Sequence, residues 1–285
     1  MYINQKIIET KNYVTKSNLP ASDFVINPYI GCPHACKYCY ARFMKRFTGH
    51  NENWGDFTDI KLCTKPISKK QLTGKAVFLS SVTDCYNPLE EKYRITRKIL
   101  EQLTDIDCQL VISTKSSLIL RDIDLLKKCR NLMVSISINT LDENFKNDMD
   151  KADSIAKRIS ALKELHENGI YTVLFMSPIF PEITDFKAIV EKTEEFVNEY
   201  WFENLNLRGD FKENIILYIY EKYPELKALY RDIFVYGNRT YWFGLSEKID
   251  KYCKSKKLRY KNYFYHDELV KNKLSAKNEV QQCLL

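Results

Sequence analysis

Residues 31–40 read Gly-Cys-Pro-His-Ala-Cys-Lys-Tyr-Cys-Tyr and place Cys32, Cys36 and Cys39 in one short loop with the spacing C-x₃-C-x₂-C. The apolar run 24–31 predicts a strand that enters a turn just before the loop. Three thiolates so close together can each hold one iron of a [4Fe–4S] cluster. No fourth thiol lies nearby in the sequence, so one iron would keep an open position for a substrate or cosubstrate.

The same loop permits other interpretations. A structural zinc site would add His34 or His50 to the cysteines, but such sites usually use two ligand pairs, and the chain has no second C-x₂-C. A thioredoxin-like redox pair at Cys36 and Cys39 leaves the first cysteine without a role. A c-type haem site is excluded because Tyr40, rather than histidine, follows the last cysteine. The spacing favours iron–sulfur, with zinc and redox chemistry as alternatives.

The composition of the 285 residues excludes several classes of protein. Hydrophobic residues make up 45% and charged residues 28%, which suits a sizeable core rather than disorder. No stretch approaches the roughly 20 apolar residues of a membrane span, and residues 1–6 lack the apolar run of a signal peptide. Nine cysteines, an odd number in a long chain, do not indicate a secreted disulfide framework. We expect no membrane association and a reducing cytoplasm.

Apolar strand-like runs alternate with amphipathic helical segments along most of the chain. The strands are almost continuously apolar, which predicts a parallel sheet covered on both faces and joined by right-handed crossovers. Six β/α units favour a partial or closed barrel over a flat doubly wound sheet. We expect this α/β core in residues 1–233 and a C-terminal extension in 234–285. Predicted strands cover 24–31, 76–82, 108–114, 132–138, 170–176 and 201–207, and predicted helices cover 88–103, 123–129, 154–168, 185–199 and 212–223.

Polar side chains follow several of these strands at the point where each strand ends. Because ligands bind at the carboxyl ends of parallel strands, these clusters would share one rim with the cysteine loop. Ser, Thr, Asn and Lys there can bind the carboxylate, amine and ribose of a nucleoside-type ligand. No Gly-rich phosphate loop is present, which disfavours nucleoside triphosphates. Besides the cysteine loop, the clusters are 80–88, 113–116, 137–140 and 204–209.

The charge of the chain is mildly positive and uneven. Lys and Arg number 44 against 37 Asp and Glu, a net charge of +7. Seven cations crowd residues 248–261, with Tyr252, Tyr260, Tyr263 and Phe264 nearby. Basic and aromatic residues together suit phosphates and stacked bases. The alternative interpretation is a solvated helix face followed by a half-buried strand.

The motif and the architecture together resemble the radical SAM superfamily over about residues 20–210. Members of that superfamily bind S-adenosylmethionine at the open iron, cleave it reductively and release a 5′-deoxyadenosyl radical. The resemblance implies a (β/α)₆ partial barrel of the radical SAM type. Residues 31–40, 82–84, 86–88, 114–115 and 137–139 are more narrowly similar to the spore photoproduct lyase-like, or DNA repair photolyase, branch. Residues 10–13 and 135–150 are most similar to the B member of the radical SAM mobile pair proteins.

The resemblance also implies roles for individual residues and partners. Cys32, Cys36 and Cys39 would ligate the cluster, and Tyr38 would approach the adenine of S-adenosylmethionine. An external electron donor such as flavodoxin or ferredoxin and a paired radical SAM protein are implied as partners. The remaining residues implied at the cosubstrate site are Thr83, Lys115 and Ser137, with Tyr40 and Asn139 nearby.

The chain departs from the lyase pattern at one position. The lyase has a cysteine two residues before the position of Thr83 that donates a hydrogen atom to the product radical, and here that position is Ser81. The O–H bond of serine is too strong for the same role, which argues against true photoproduct repair. Cys85 lies close in sequence, and we predict it as the substitute hydrogen-atom donor.

Three functions follow from these observations. The first is an enzyme that starts radical chemistry on a nucleic acid, DNA or RNA, which the basic and aromatic C-terminal region favours. The second is radical modification of a peptide or partner protein. The third is a non-catalytic regulator that binds an iron–sulfur cluster or zinc. The polar strand ends favour an enzyme over a regulator.

Overall fold

The computed structural model describes residues 3–19, 21–209 and 211–265. The strands are β1 (Asn4–Glu9), β2 (Val14–Lys16), β3 (Phe24–Ile26), β4 (Tyr29–Ile30), β5 (Phe57–Leu62), β6 (Ala76–Leu79), β7 (Gln109–Thr114), β8 (Asn131–Ser137), β9 (Tyr171–Ile179), β10 (Glu199–Asn204) and β11 (Tyr260–Asn262). The α-helices are α1 (Lys69–Leu72), α2 (Glu90–Tyr93), α3 (Ile95–Leu103), α4 (Ile123–Leu126), α5 (Glu143–Met149), α6 (Ile155–Glu167), α7 (Phe186–Thr193), α8 (Phe211–Lys222), α9 (Lys227–Phe234) and α10 (Thr240–Ser255). Shorter 3₁₀ helices cover Tyr40–Phe47, Ser117–Asp122 and Pro224–Leu226.

The main sheet has the order β11-β10-β9-β8-β7-β6-β3-β2. Its strands from β3 to β11 run parallel, and only β2 pairs antiparallel with its neighbour. The six predicted strands correspond to β3 and to β6 through β10, which confirms the α/β prediction of a parallel sheet built from six β/α units. In the described residues the two edge strands β2 and β11 do not pair with each other, so the barrel is partial.

Alternate residues of the central strands face opposite sides of the sheet, as strand geometry requires. Val111, Met133, Phe175 and Trp201 line a cavity on the inner side. Their chain neighbours Ile112, Val134, Leu174 and Phe202 are fully buried among the core side chains. Helix α6, which contacts β8 and β9, covers the outer side. The strands are therefore apolar throughout because one side packs on helices and the other lines the cavity.

The predicted strand 24–31 is two strands in two sheets. Strand β3 belongs to the main sheet, whereas β4 pairs antiparallel with β5 in a small sheet of order β1-β5-β4. The break falls at Asn27-Pro28, because proline has no N–H to donate to a ladder. The Asn27 amide instead bonds Ser81 Oγ at 2.9 Å and the Val82 N–H at 3.0 Å. These two hydrogen bonds of the Asn27 side chain turn the chain toward the cysteine loop.

The predicted helix 88–103 is also interrupted. Arg94 has φ +52° and separates α2 from α3. The buried carboxylate of Glu90 accepts hydrogen bonds from the backbone N–H groups of Thr96 at 2.9 Å and Arg97 at 3.3 Å. A carboxylate at the first turn of a helix satisfies otherwise unpaired N–H groups. Glu90 therefore allows a second helix, α3, to begin within the range where the sequence predicts a single helix.

The C-terminal part of the described chain adds to the main sheet. Strand β11 pairs parallel with β10, with Lys261 opposite Trp201, and the Tyr263 N–H donates to the Phe202 carbonyl at 2.7 Å. Helix α10 precedes this strand. The predicted extension 234–285 begins where α9 ends, and its residues 266–285 lie outside the described residues. Within the described ranges, no helix is long and apolar enough to cross a membrane.

Candidate functional site

The cysteine loop begins at a position that only glycine fits. Gly31 has φ +87°, and a side chain there would lie 2.4 Å from the carbonyl oxygen of Phe57. The Thr83 hydroxyl donates to the Gly31 carbonyl at 2.7 Å, which ties the loop to the end of β6. Two backbone hydrogen bonds tie it to the end of α5, from the Lys37 N–H to Met149 at 2.9 Å and from the Lys151 N–H to His34 at 2.8 Å. The loop is thus held from both sides.

The three predicted ligand thiols line one cavity of about 920 Å³, which extends along the inside of the partial barrel from the amino ends of the strands to their carboxyl ends. Cys32 and Cys36 are buried, Cys39 is half-buried, and all three are free thiols whose pKa is raised by burial. No other cysteine lines this cavity among the residues that the structure describes. A cluster bound by these three thiolates would therefore keep one iron open toward the cavity, so the donor set fits a [4Fe–4S] group.

A single zinc ion fits this chain less well. In the described part of the chain, no three His, Cys, Asp or Glu side chains are arranged around one ion. His50, one of the alternative zinc ligands, has both ring nitrogens engaged, with Asp59 at 2.8 Å and Glu52 at 3.1 Å. Its ring stacks on Phe57 with centroids 4.1 Å apart. These contacts therefore give His50 a structural role.

Most residues predicted at the cosubstrate site surround the same cavity. The Nζ atom of Lys115 lies 5.9 Å from the centre of the Tyr38 ring. The Tyr40 hydroxyl donates to the carbonyl of Ser81 at the end of β6. The predicted residues that line the cavity are Tyr38, Tyr40, Thr83, Lys115 and Ser137.

Two predicted residues do not line the cavity. Asn139 is buried, and its side chain donates to the Pro178 carbonyl at 2.9 Å, so it fixes the backbone near the end of β9. Cys85 is fully buried in the hydrophobic core. Its backbone N–H bonds Ser80 Oγ at 2.8 Å, inside a turn in which Ser80 has φ +81°. That turn sends the Cys85 side chain away from the cavity, a geometry that does not suit the predicted hydrogen-atom donor.

Asp84 is a central residue of the site that the sequence prediction missed. Its buried carboxylate accepts from the Thr114 hydroxyl at 2.7 Å and from the Lys115 N–H at 2.8 Å. The His34 Nδ1 atom lies 3.3 Å away. Burial alone would raise the pKa of Asp84, but His34 and these hydrogen bonds outweigh it and lower the pKa to about 2. One carboxylate thus joins the cysteine loop to the ends of β6 and β7.

A buried ion pair supports the other side of the loop. Arg158 Nη2 donates to Asp150 Oδ1 at 2.6 Å, and both side chains are almost fully buried. The Tyr38 hydroxyl donates to the second oxygen of Asp150 at 3.2 Å, and Arg158 Nη1 donates to the Ser137 carbonyl at 3.2 Å. Burial penalises the charged carboxylate, but the charge of Arg158, with those of Lys115 and Lys146, outweighs burial and lowers the pKa of Asp150. The pair fixes Tyr38 against the end of β8.

The β9–β11 side of the cavity has a different character. Phe175, Trp201 and Tyr263 form mutual edge-to-face contacts with centroids 5.7 to 6.3 Å apart. Above them the Ser177 hydroxyl donates to Glu203, whose pKa is raised by burial. The sequence analysis named Tyr263 among the aromatic residues that suit stacked bases, but it missed Phe175, Ser177, Trp201 and Glu203. The thiols and most of the hydroxyl groups therefore lie on one side of the cavity, and Phe175, Trp201, Tyr263 and Glu203 lie on the other.

Comparisons with known proteins agree with this geometry. The family model described as the radical SAM superfamily matches residues 26–193. An uncharacterized protein of Methanocaldococcus jannaschii is 41% identical over 231 residues, which cover 78% of this chain and 86% of that protein. Spore photoproduct lyase complexed with dinucleoside spore photoproduct superposes with a TM-score of 0.55 at 15% identity, covering 77% of this chain and 66% of the lyase. Streptococcus suis SuiB bound to S-adenosylmethionine gives a TM-score of 0.56 at 12% identity, covering 92% and 50%.

The chain belongs to the radical SAM superfamily, because the family model covers more than half of it. The predicted cofactors, a [4Fe–4S] cluster and S-adenosylmethionine, are those of that superfamily, and the chain is an enzyme of this class. The likeness to the lyase and to SuiB is a likeness of fold, since both are under 25% identical to this chain. The chain spans about two thirds of the lyase's length.

Proposed function

We propose that this protein generates a 5′-deoxyadenosyl radical and uses it on a nucleic-acid substrate, with a lesion or modified base as the reacting unit. When bound, the cluster would pass one electron from an external donor to S-adenosylmethionine, so that the C5′–S bond breaks. The products would be methionine and the 5′-deoxyadenosyl radical, which takes a hydrogen atom from the substrate. Flavodoxin or ferredoxin as the donor, a paired radical SAM protein and a reducing cytoplasm belong to the same proposal.

The residues of the chain would bind and orient the cosubstrate. Lys115 offers a cation beside the Tyr38 ring for the carboxylate of the methionine portion. Tyr38, fixed by Asp150, offers a rigid aromatic surface for the adenine. Thr83 and Ser137 supply hydroxyl groups at the same rim. The buried contacts of Asp84 and Arg158 hold these groups in position before any ligand enters, which lowers the entropic cost of binding.

The observation that carries the substrate proposal is the division of the cavity into two halves. Cysteines and hydroxyl groups line the half next to β6 and β7, where the cosubstrate would lie. Phe175, Trp201 and Tyr263 line the other half. Aromatic rings bind unstacked bases by stacking. The lyase of the same fold holds a dinucleoside photoproduct, which supports a base as the occupant.

The test is anaerobic reconstitution with iron, sulfide and dithionite, followed by an assay of 5′-deoxyadenosine with and without ultraviolet-irradiated DNA, undamaged DNA and RNA. We expect slow formation of 5′-deoxyadenosine without substrate and faster formation with one nucleic acid. Deuterium transfer from a labelled substrate into 5′-deoxyadenosine would identify the abstracted hydrogen. Equal rates with every nucleic acid and without any would contradict the substrate proposal.

Radical modification of a peptide or partner protein remains the second candidate. The aromatic half of the cavity would then receive an aromatic side chain in place of a base, since both are flat and apolar. The same assay separates the two, because a peptide substrate would raise 5′-deoxyadenosine formation where nucleic acids do not.

A further inference from the structure

The 3₁₀ helix Tyr40–Phe47 exposes an unusual amount of aromatic surface. It reads Tyr-Ala-Arg-Phe-Met-Lys-Arg-Phe, and Tyr40, Phe43 and Phe47 are 59%, 45% and 67% exposed. One exposed apolar side chain needs no explanation, but three large rings within eight residues form a patch of the kind that marks a binding surface. We call this segment the Tyr40–Phe47 surface.

The cations of the Tyr40–Phe47 surface lack carboxylate partners. Among the described residues, Arg42, Lys45 and Arg46 form no salt bridge. The Arg46 guanidinium lies 4.6 Å from the centre of the Phe47 ring and 5.6 Å from that of Phe43. Lys45 donates to the Asn51 carbonyl at 3.2 Å. The positive charge here is therefore available to an outside anion.

Two acidic residues that follow this segment in sequence are engaged with other partners. Glu52 bonds Asn4 and His50, and Asp59 bonds His50 at 2.8 Å. The helix itself contains no acidic residue. Local charge therefore favours an anionic partner without competition from the chain's own carboxylates.

The Tyr40–Phe47 surface is continuous with the active cavity. It begins directly after the third cluster cysteine, and Tyr40 and Ala41 line the cavity. The Tyr40 hydroxyl is fixed to the carbonyl of Ser81. A polymer that lies along the surface would therefore reach the cavity mouth at Tyr40.

We infer that the Tyr40–Phe47 surface binds a single-stranded nucleic-acid segment and delivers one of its nucleotides to the cavity. This inference rests on the proposed function, because it assumes a nucleic-acid substrate. Arg42, Lys45 and Arg46 neutralise phosphates, and bases stack on Phe43 and Phe47. Stacking requires unpaired bases, so a single strand fits better than a duplex.

The C-terminal cations provide a matched control. Lys254 pairs with Asp250 at 2.8 Å, and Lys256 pairs with Glu194 at 2.8 Å. Like Lys45 and Arg46, these two lysines each carry one positive charge, but a carboxylate of the chain compensates that charge. Substituting them changes the net charge by the same two units without touching the Tyr40–Phe47 surface.

The experiment measures anisotropy of a fluorescein-labelled oligothymidylate, and of a duplex of equal length, on the anaerobically reconstituted full chain across a salt series. The variants are Lys45→Ala with Arg46→Ala, Phe43→Ala with Phe47→Ala, and the control Lys254→Ala with Lys256→Ala.

We expect the first pair, Lys45→Ala with Arg46→Ala, to reduce the log–log salt slope by about 1.4, since each phosphate contact on a single strand contributes about 0.7. We expect the second pair to weaken binding at least about tenfold at constant slope. The control keeps wild-type affinity and slope. Iron content and circular dichroism verify that each variant is folded.

Each other outcome overturns a defined part of the inference. Wild-type affinity in both surface variants would refute the Tyr40–Phe47 surface and leave the nucleic-acid function standing. Loss of binding only in the control pair would assign the strand to the C-terminal region. If the wild type binds no oligonucleotide at low salt, both proposals fail, and formation of 5′-deoxyadenosine still reports the superfamily chemistry. Binding to anionic vesicles but not to oligonucleotides would identify the surface as a lipid site instead.

Discussion

Residues 40–47 and 248–261 are alike in sequence and different in structure. Each combines closely spaced cations with aromatic residues. In the C-terminal region, Lys254, Lys256 and Lys261 each lie within 3.1 Å of a carboxylate of the chain. In the first region, the cations contact rings and a carbonyl oxygen.

The difference teaches that a run of cations indicates a partner only where the fold leaves the charge uncompensated. Residues 248–261 form the end of α10 and the edge strand β11, which was the alternative interpretation of that sequence. Three of their seven cations, Lys254, Lys256 and Lys261, pair with the chain's own carboxylates. In the part of the chain that the structure describes, Arg42, Lys45 and Arg46 of the Tyr40–Phe47 surface form no such pair and contact aromatic rings and a carbonyl oxygen instead.

The largest effect is expected at the junction between the cluster loop and the Tyr40–Phe47 surface. Cys39→Ala removes one of three thiolates, so the protein should lose its cluster and form no 5′-deoxyadenosine. The measured iron and sulfide contents should fall from about four of each per chain. Cys63→Ala, a half-buried thiol outside the cavity, is the control and should keep both. A full cluster in Cys39→Ala would remove this residue from the ligand set.

The second prediction contrasts a buried ion pair with an exposed one. Arg158→Ala leaves the Asp150 carboxylate buried without its main partner, which typically costs about 3–5 kcal/mol. We expect the lower end, because Lys146 remains 3.5 Å from Asp150. Urea unfolding under anaerobic conditions measures the change. Lys254→Ala, which breaks an exposed pair, should leave the unfolding midpoint unchanged, and equal effects of the two variants would contradict the contrast.

The third prediction concerns Lys115, which forms no salt bridge in the part of the chain that the structure describes. Lys115→Ala should weaken S-adenosylmethionine binding about 10–150-fold, since a charged hydrogen bond contributes about 1.5–3 kcal/mol. Equilibrium dialysis of the reconstituted protein measures the affinity, and iron content should stay at the wild-type level. An unchanged affinity would show that an unpaired cation in the cavity does not by itself mark a ligand site.

The sequence predicts those parts of the fold that depend on local pattern. Continuous apolar runs identify the six parallel strands, and the spacing of three cysteines identifies the cluster loop. The split at Asn27-Pro28, the helix break at Arg94 and the pairing of β1 with β5 were not predicted. The first and the third depend on distant partners, Ser81 for Asn27 and the small sheet for β1. The helix break depends on the burial of Glu90, whose carboxylate is held by Tyr29 and Arg121 from other parts of the chain.

The site shows the same limit. Asp84, Arg158 and Glu203 contact residues 8 to 50 positions away, so no spacing rule identifies them. Proximity in sequence also misplaces Cys85, because the turn at Ser80 directs its side chain into the core. The division into domains at residue 234 stays a prediction, although β11 joins the sheet of the core.

The smallest effect sharpens the comparison of the two basic regions most directly. Lys261 pairs with Glu199 at 3.1 Å, and Glu199 also accepts from Trp201 Nε1 at 2.7 Å and from the Tyr171 hydroxyl at 3.1 Å. Lys261→Ala should therefore destabilise the fold only by up to about 1 kcal/mol, because two hydrogen bonds to the carboxylate remain.

Arg46→Ala should leave the stability unchanged, since Arg46 contacts only two exposed rings, yet it should weaken binding of the oligonucleotide. Urea unfolding and anisotropy on the same preparations measure both quantities. The two variants should therefore have different effects. Lys261→Ala should change the stability with little effect on the salt slope, whereas Arg46→Ala should change oligonucleotide binding and its salt slope without changing the stability. If Lys261→Ala reduced the slope as much as Arg46→Ala, the strand would contact both regions, and internal pairing would no longer distinguish structural cations from binding ones.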